Sequence, residues 1–241
     1  MRYILASSAL VLLPVLADAQ SELPELLQAA IAPNEMVPSF AFDIVRTSTD
    51  TGEDGETRTG YARVDLAAPE FKQITPAHLI DPSQPGSSFD ALSGIERAID
   101  DGIWCSGLVE TPPAPEDVEV IAEDADTVTY QFQPAIQDDA DGPEKKILKR
   151  TLATVVVSRE NPAILSYEQH LTKTVTLYVV AKIKKVDLSV SCARGPSGHT
   201  YIRNSTNSFE ASGVGNGGGN HSEMTVTAIY DRDTGTEIAL N

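Results

Sequence analysis

Cysteine, histidine and positive charge are all scarce in this chain of 241 residues, and each scarcity excludes something. The four histidines, His78, His170, His199 and His221, stand singly beside only two cysteines. Without a C-x-x-C or H-x-x-x-H pair the ligand spacings of a zinc site are missing, so no metal is expected. Lys and Arg number 18 against 35 Asp and Glu, a formal charge of −17 that repels polyanions and argues against nucleic acid as a partner. No run after Leu16 approaches the roughly 18 apolar residues of a membrane helix, so a membrane-spanning chain is not expected. Nor is there a G-x-S-x-G elbow or a histidine in a recognisable catalytic context, and the expectation is a protein that is not an enzyme. A hydrolase remains only if the fold brings a Ser/His/acid site together.

Two motifs are weaker than they look. Gly213-Val214-Gly215-Asn216-Gly217-Gly218 matches G-x-G-x-x-G, but a strand pattern follows it where the dinucleotide fingerprint needs a helix. It reads as a loop between strands, and no cofactor is expected. Asp139, Asp141 and Gly142 fit part of a calcium loop, yet Gln137 and Leu148 stand where the first carboxylate and the bidentate Glu belong.

What is present begins with export. Arg2 precedes an apolar stretch from Ile4 to Leu16, and Ala17-Asp18-Ala19 offers a small-x-small cleavage site before Gln20. Residues 1–19 therefore read as a signal peptide and 20–241 as a mature chain, periplasmic or secreted. In an oxidising compartment Cys105 and Cys192 are expected to form one disulfide, two buried free thiols being the alternative.

Along the mature chain, Ser21 to Met36 has helical spacing of Leu23, Leu26, Leu27, Ala30 and Ile31. Phe40, Phe42 and Ile44 then alternate with Ala41, Asp43 and Val45, and beyond the turn at residues 50–55 Ala62, Val64 and Leu66 alternate with Tyr61, Arg63 and Asp65, giving a hairpin with one buried face. Ser87 and Ser88 open a second helix with an apolar stripe of Phe89, Leu92, Ile95 and Ile99. Val128, Tyr130 and Phe132 alternate in Thr127–Gln133, after which residues 137–143 read as an acidic turn. Long strands are expected at Ile147–Arg159, Ala163–Leu171, Thr172–Cys192, Thr200–Phe209 and Glu223–Tyr230. Within Thr172–Cys192 the apolar parity inverts at Lys184-Lys185, which calls for a bend or β-bulge. The clustered Lys145, Lys146, Lys149, Arg150, Lys182, Lys184 and Lys185 suit guarded sheet edges better than an anion site.

This order of elements, with Phe40-Ala41-Phe42-Asp43, Tyr61-Ala62-Arg63-Val64-Asp65 and the long late strands, resembles the LolA-like periplasmic half-barrels, a family that includes lipoprotein carriers. The resemblance implies a mainly β (α+β) fold over 20–241: a single strongly curved antiparallel sheet, or half-barrel, with helices on the concave face. It also implies a lipophilic small molecule or acyl chain bound in a concave apolar cleft. The residues expected to line that cleft are Phe40, Phe42, Phe89, Leu92, Trp104, Tyr130, Phe132, Leu177 and Val179. The alternative is an envelope protein-interaction module in which those residues form a filled core and the partner is another protein.

Overall fold

The computed structural model describes residues 22–32, 40–51, 55–69, 72–99, 103–137, 140–177, 181–195, 198–213, 217–238 and 240. Residues 1–19, expected to be a signal peptide, lie outside them, as does Val179. Period-two alternation dominates the chain, and its strands assemble into one antiparallel sheet. In chain order they are β1 (Phe40–Asp50), β2 (Thr57–Val64), β3 (Ile74–Pro76), β4 (Glu119–Glu123), β5 (Thr127–Phe132) and β6 (Thr151–Ser158). Then follow β7 (Ile164–Leu171), β8 (Val175–Leu177), β9 (Ala181–Arg194), β10 (Thr200–Ser212), β11 (Gly217–Asp231) and β12 (Glu237–Ile238). Across the sheet the order is β3-β2-β1-β11-β10-β9-β7-β6-β5-β4, with β12 beside β11 and β8 beside β9. It curves without closing, a half-barrel whose two edges are the short β3 and the five-residue β4.

Its helices are α1 (Glu25–Ile31), α2 (Ala77–Ile80), α3 (Phe89–Ile99) and α4 (Gly142–Leu148). Concave-face residues Phe42 and Ile44 of β1, Val64 of β2, Tyr130 of β5, Val155 and Val157 of β6 and Val226 of β11 share one core with Leu27 and Ile31 of α1 and Ile95 of α3. Burying a Val, Leu, Ile or Phe side chain contributes about 1.5–3 kcal/mol, so α1 and α3 are held by packing rather than by helix propensity. Ser88 caps α3 as its sequence promised, accepting from the Ala91 N–H at 3.3 Å. Here α3 meets β2 small on small: a Cβ on Gly60 would stand 3.0 Å from the Ala91 carbonyl oxygen.

The β10–β11 pair parts beyond Asn204 and Thr225. Arg203, the extra residue between Ile202 and Asn204 in the ladder to β9, donates from Nη1 to the Val226 carbonyl at 2.9 Å. On the other side of the gap, Trp104 bridges Tyr201, and Ile202 N–H donates to the Ile103 carbonyl at 2.8 Å. The expected disulfide closes just behind this insertion: Cys105 and Cys192 have Sγ atoms 2.10 Å and Cα atoms 6.3 Å apart.

Two strand expectations need correction. Ile147–Arg159 is not one strand, because Asp141 caps a helix instead, accepting from the Glu144 N–H at 2.7 Å with Pro143 in the first turn. The helix α4 carries the chain to Leu148, and β6 starts at Thr151. Thr172–Cys192 is not one strand either: Val175 pairs with Ile183 and Leu177 with Ala181, so β8 turns back onto β9. The parity inversion at Lys184-Lys185 is nonetheless real. Opposite β10 the register passes from Lys185 against Glu210 to Ile183 against Ala211, leaving Lys184 as the extra residue of a bulge.

Candidate functional site

The residues expected to line the concave cleft divide into three groups. Phe42, Tyr130 and Phe132 are buried in the core, and Phe40, Leu92 and Trp104 pack half-buried against it. These the fold does bring together, but as a filled interior. Trp104 meets Phe42 edge-on with centroids 5.8 Å apart, and Tyr201 lies 5.9 Å from Phe42 on another side, so aromatic rings occupy the middle of the half-barrel. Phe89 does not join them: at 81% exposure it stands in solvent, because α3 turns Ala91, Gly94 and Ile95 to the sheet. Leu177 sits on the β8–β9 hairpin, outside the core cluster, and Val179 lies outside the described residues.

Open space on the concave side lies farther along the sheet. Strand register builds its floor: Tyr167 of β7 stands between Val155 of β6 and Val190 of β9, and Gln169 between Ala153 and Leu188. Phe132 ends β5 beside them, Leu148 comes from α4, and Leu108 and Val109 come from the chain just after Cys105. Together these segments enclose a cavity of about 290 Å³ open to the surface. Of the expected lining residues that the structure describes, only Phe132 borders it.

Polar groups gather at this cavity as well. Tyr167 is 5% exposed, and its hydroxyl donates to Gln169 Oε1 at 3.0 Å. Burial, reinforced by the charge of Glu110, pushes its phenol up to about 12. Glu110 is exposed, and its Oε2 accepts from the Gln137 amide at 3.0 Å. Glu144, in the first turn of α4, brings a second carboxylate to the lining. The arrangement is an apolar floor under an acidic mouth. Chemically it can desolvate a small apolar body and present hydrogen-bond acceptors to whatever that body carries at its open end.

Other cavities among the described residues lie elsewhere. One of about 180 Å³ lies on the opposite face beside α2, where Arg63 is clamped to Asp43 at 2.7 and 2.9 Å and stacks 3.7 Å over the Tyr230 ring. That clamp keeps the Arg63 guanidinium charged and already matched. Near the far ends of β9, β10 and β11 is a cavity of about 390 Å³, bordered by Lys184, Lys185, Ser208 and His221. There Ser208 Oγ lies 2.9 Å from His221 Nδ1, and His221 Nε2 lies 3.2 Å from Glu223 Oε1. The row has the order of a nucleophile, a base and an acid. However, Ser208 pairs with Asp187 on one side and His221 on the other, and His221 pairs with Thr49 and Ser208, so the strands on both sides use the local backbone. Oxyanion stabilisation needs donors aimed at the developing charge, and this ladder presents none at Ser208.

Comparison with protein-family models, curated proteins and solved structures found no match to this chain.

Proposed function

We propose that this chain binds a lipophilic small molecule in the concave cavity without turning it over, as an exported protein of the cell envelope. One observation carries the reading. The half-barrel is filled by aromatics at its centre yet leaves about 290 Å³ open between Phe132, Leu148, Tyr167 and Leu188, and none of the described lining residues comes from α1 or α3. That volume is at the small end of ligand cavities, roughly 300–1,000 Å³, and suits one short apolar chain rather than a two-chain lipid. Each buried methylene would contribute about 0.8 kcal/mol.

The test uses the neutral probe N-phenyl-1-naphthylamine, whose emission rises and shifts to the blue in an apolar site. Wild-type protein is expected to take it up saturably. Leu188→Trp, which puts an indole into the floor, is expected to abolish uptake while leaving the thermal midpoint close to that of wild type. Absence of saturable uptake by wild type, or undiminished uptake by a folded Leu188→Trp protein, would overturn the proposal.

A specific observation favours a second reading, an envelope protein-interaction module. The edge strand β4 is exposed throughout, with Val120 at 50% and Ile121 at 45%. An open edge of this kind can accept a partner's strand. Glu119→Lys with Ile121→Lys would weaken such a partner and leave probe uptake untouched.

A further inference from the structure

We infer that the ligand of the concave cavity is an amphiphile with a cationic headgroup, an alkylamine in chemical class, rather than a fatty acid or a phosphate ester. This rests on the reading of that cavity as a lipophilic site, and it assigns the polar end of the ligand.

The argument is one of charge placement. Glu110 and Glu144 reach the mouth from separate segments, one just beyond the Cys105–Leu108 turn and the other in the first turn of α4. The Glu110 carboxylate is oriented, since Gln137 holds its Oε2, and its other oxygen remains an acceptor. No Lys, Arg or His borders the cavity among the described residues. The helix α4 also carries Lys145 and Lys146, with Lys149 and Arg150 just after it, and none of the four is among the lining residues. Deeper in, Gln169 Oε1 is already taken by the Tyr167 hydroxyl, which spends its proton there. A carboxylate or phosphate entering head-outward would therefore meet two carboxylates, with neutral donors such as the Thr111 hydroxyl and the Gln169 amide but no cation to offset its desolvation. A protonated amine would meet the negative charge of both carboxylates and donate to Glu110 or Glu144, as charge-assisted hydrogen bonding favours. Because the glutamates are exposed, salt should weaken this preference.

Displacement of N-phenyl-1-naphthylamine by dodecylamine, dodecanol and dodecanoate, each below its micelle concentration, compares three headgroups on one chain. At pH 7 and low salt dodecylamine is expected to bind at least ten times more tightly than dodecanoate, with dodecanol between them. In a Glu110→Gln, Glu144→Gln variant that spread should fall to about twofold or less while dodecanol affinity stays the same. The double variant removes only two of the chain's negative charges from a net of −17, so the general attraction of an acidic protein for cations is retained. A spread that survives in the variant, or dodecanoate binding as tightly as dodecylamine in wild type, overturns the headgroup assignment and leaves the cavity reading standing. Failure of all three ligands and of the probe itself overturns the cavity reading.

Discussion

Reducing the Cys105–Cys192 disulfide should lower the stability of this protein by several kcal/mol without rearranging its fold. The two residues are separated by 87 positions, so the bridge removes from the unfolded chain the freedom of a loop that spans α4 and strands β4 to β8. In the chain-entropy model a loop of that length corresponds to about 4.6 kcal/mol at room temperature. That is more than a thousandfold in the folding equilibrium. Reduction is a cleaner perturbation than substitution, because Cys105 is fully buried and its sulfur stays in place as a thiol. With a urea dependence of about 2–3 kcal/mol per molar, the unfolding midpoint should fall by roughly 1.5–2.3 M on adding reductant. The assay is a pair of urea titrations followed by tryptophan emission, which reports directly because Trp104, the one tryptophan, adjoins Cys105. Superimposable curves with and without reductant would refute the entropic reasoning. Two titratable thiols in the unfolded, unreduced protein would refute the bridge itself.

Stability should also fall on the alkaline side through Tyr167. Its phenol is raised from 10.0 to about 12, so its contribution is complete below pH 10 and is lost as pH rises from 10 through 12, at no more than about 1.4 kcal/mol per unit. Burial raises the phenols of Tyr130 and Tyr230 as well, so phenolate absorbance should show several late tyrosines, and loss of the last step, near pH 12, in Tyr167→Phe checks the assignment. Gly219→Ala should destabilise by about 1–3 kcal/mol, because the added methyl meets the Phe209 carbonyl oxygen and the Thr51 hydroxyl, the former being backbone that cannot step aside. Gly94→Ala, whose methyl meets the movable guanidinium of Arg46, should cost less than about 1 kcal/mol, and equal urea midpoints for the two variants would contradict this contrast.

Much of the sheet was legible because alternation is a local signal. Phe42 and Ile44, Ala62 and Val64, and Val128, Tyr130 and Phe132 all face the core as their parity requires. The misplacing of Phe89 and Leu177 shares a cause, contacts that leave no local pattern, whereas α4 did carry a local signal in the Asp141 cap and Pro143. Phe89 completes an apolar stripe with Leu92 and Ile95, yet the surface α3 turns to the sheet is Ala91, against Gly60 of β2, and Gly94, beneath the Arg46 side chain of β1, and contacts made by small residues are invisible to a count of large ones. Leu177 was assigned to a long strand because nothing in Val175–Ile183 resembles a turn by composition, and only the pairing of Val175 with Ile183 shows the reversal. The cavity was unreadable for a different reason. Glu110, Phe132, Glu144, Tyr167 and Leu188 come from five segments; the register linking β5, β6, β7 and β9 makes Phe132, Tyr167 and Leu188 neighbours, and Glu110 and Glu144 reach the same cavity from outside the sheet. The disulfide, by contrast, needed only the scarcity of cysteine and an oxidising destination.

The position of β1 beside β11 dictates an order of assembly. Phe40 lies against Asp231, so a strand near the start of the described chain and one near its end are partners in the middle of the sheet. The β1–β2 hairpin can form as soon as residue 64 exists, but the other edge of β1 has no neighbour until residues 217–231 have been made. The last long strand to arrive, β11, is thus an inner one, and it joins two blocks, β3-β2-β1 and β10 through β4. Such distant pairing makes for slow folding. A chain stopped before Gly217 would lose no mere tail; it would be two half-sheets, each presenting the open strand edge that most readily recruits a neighbouring molecule.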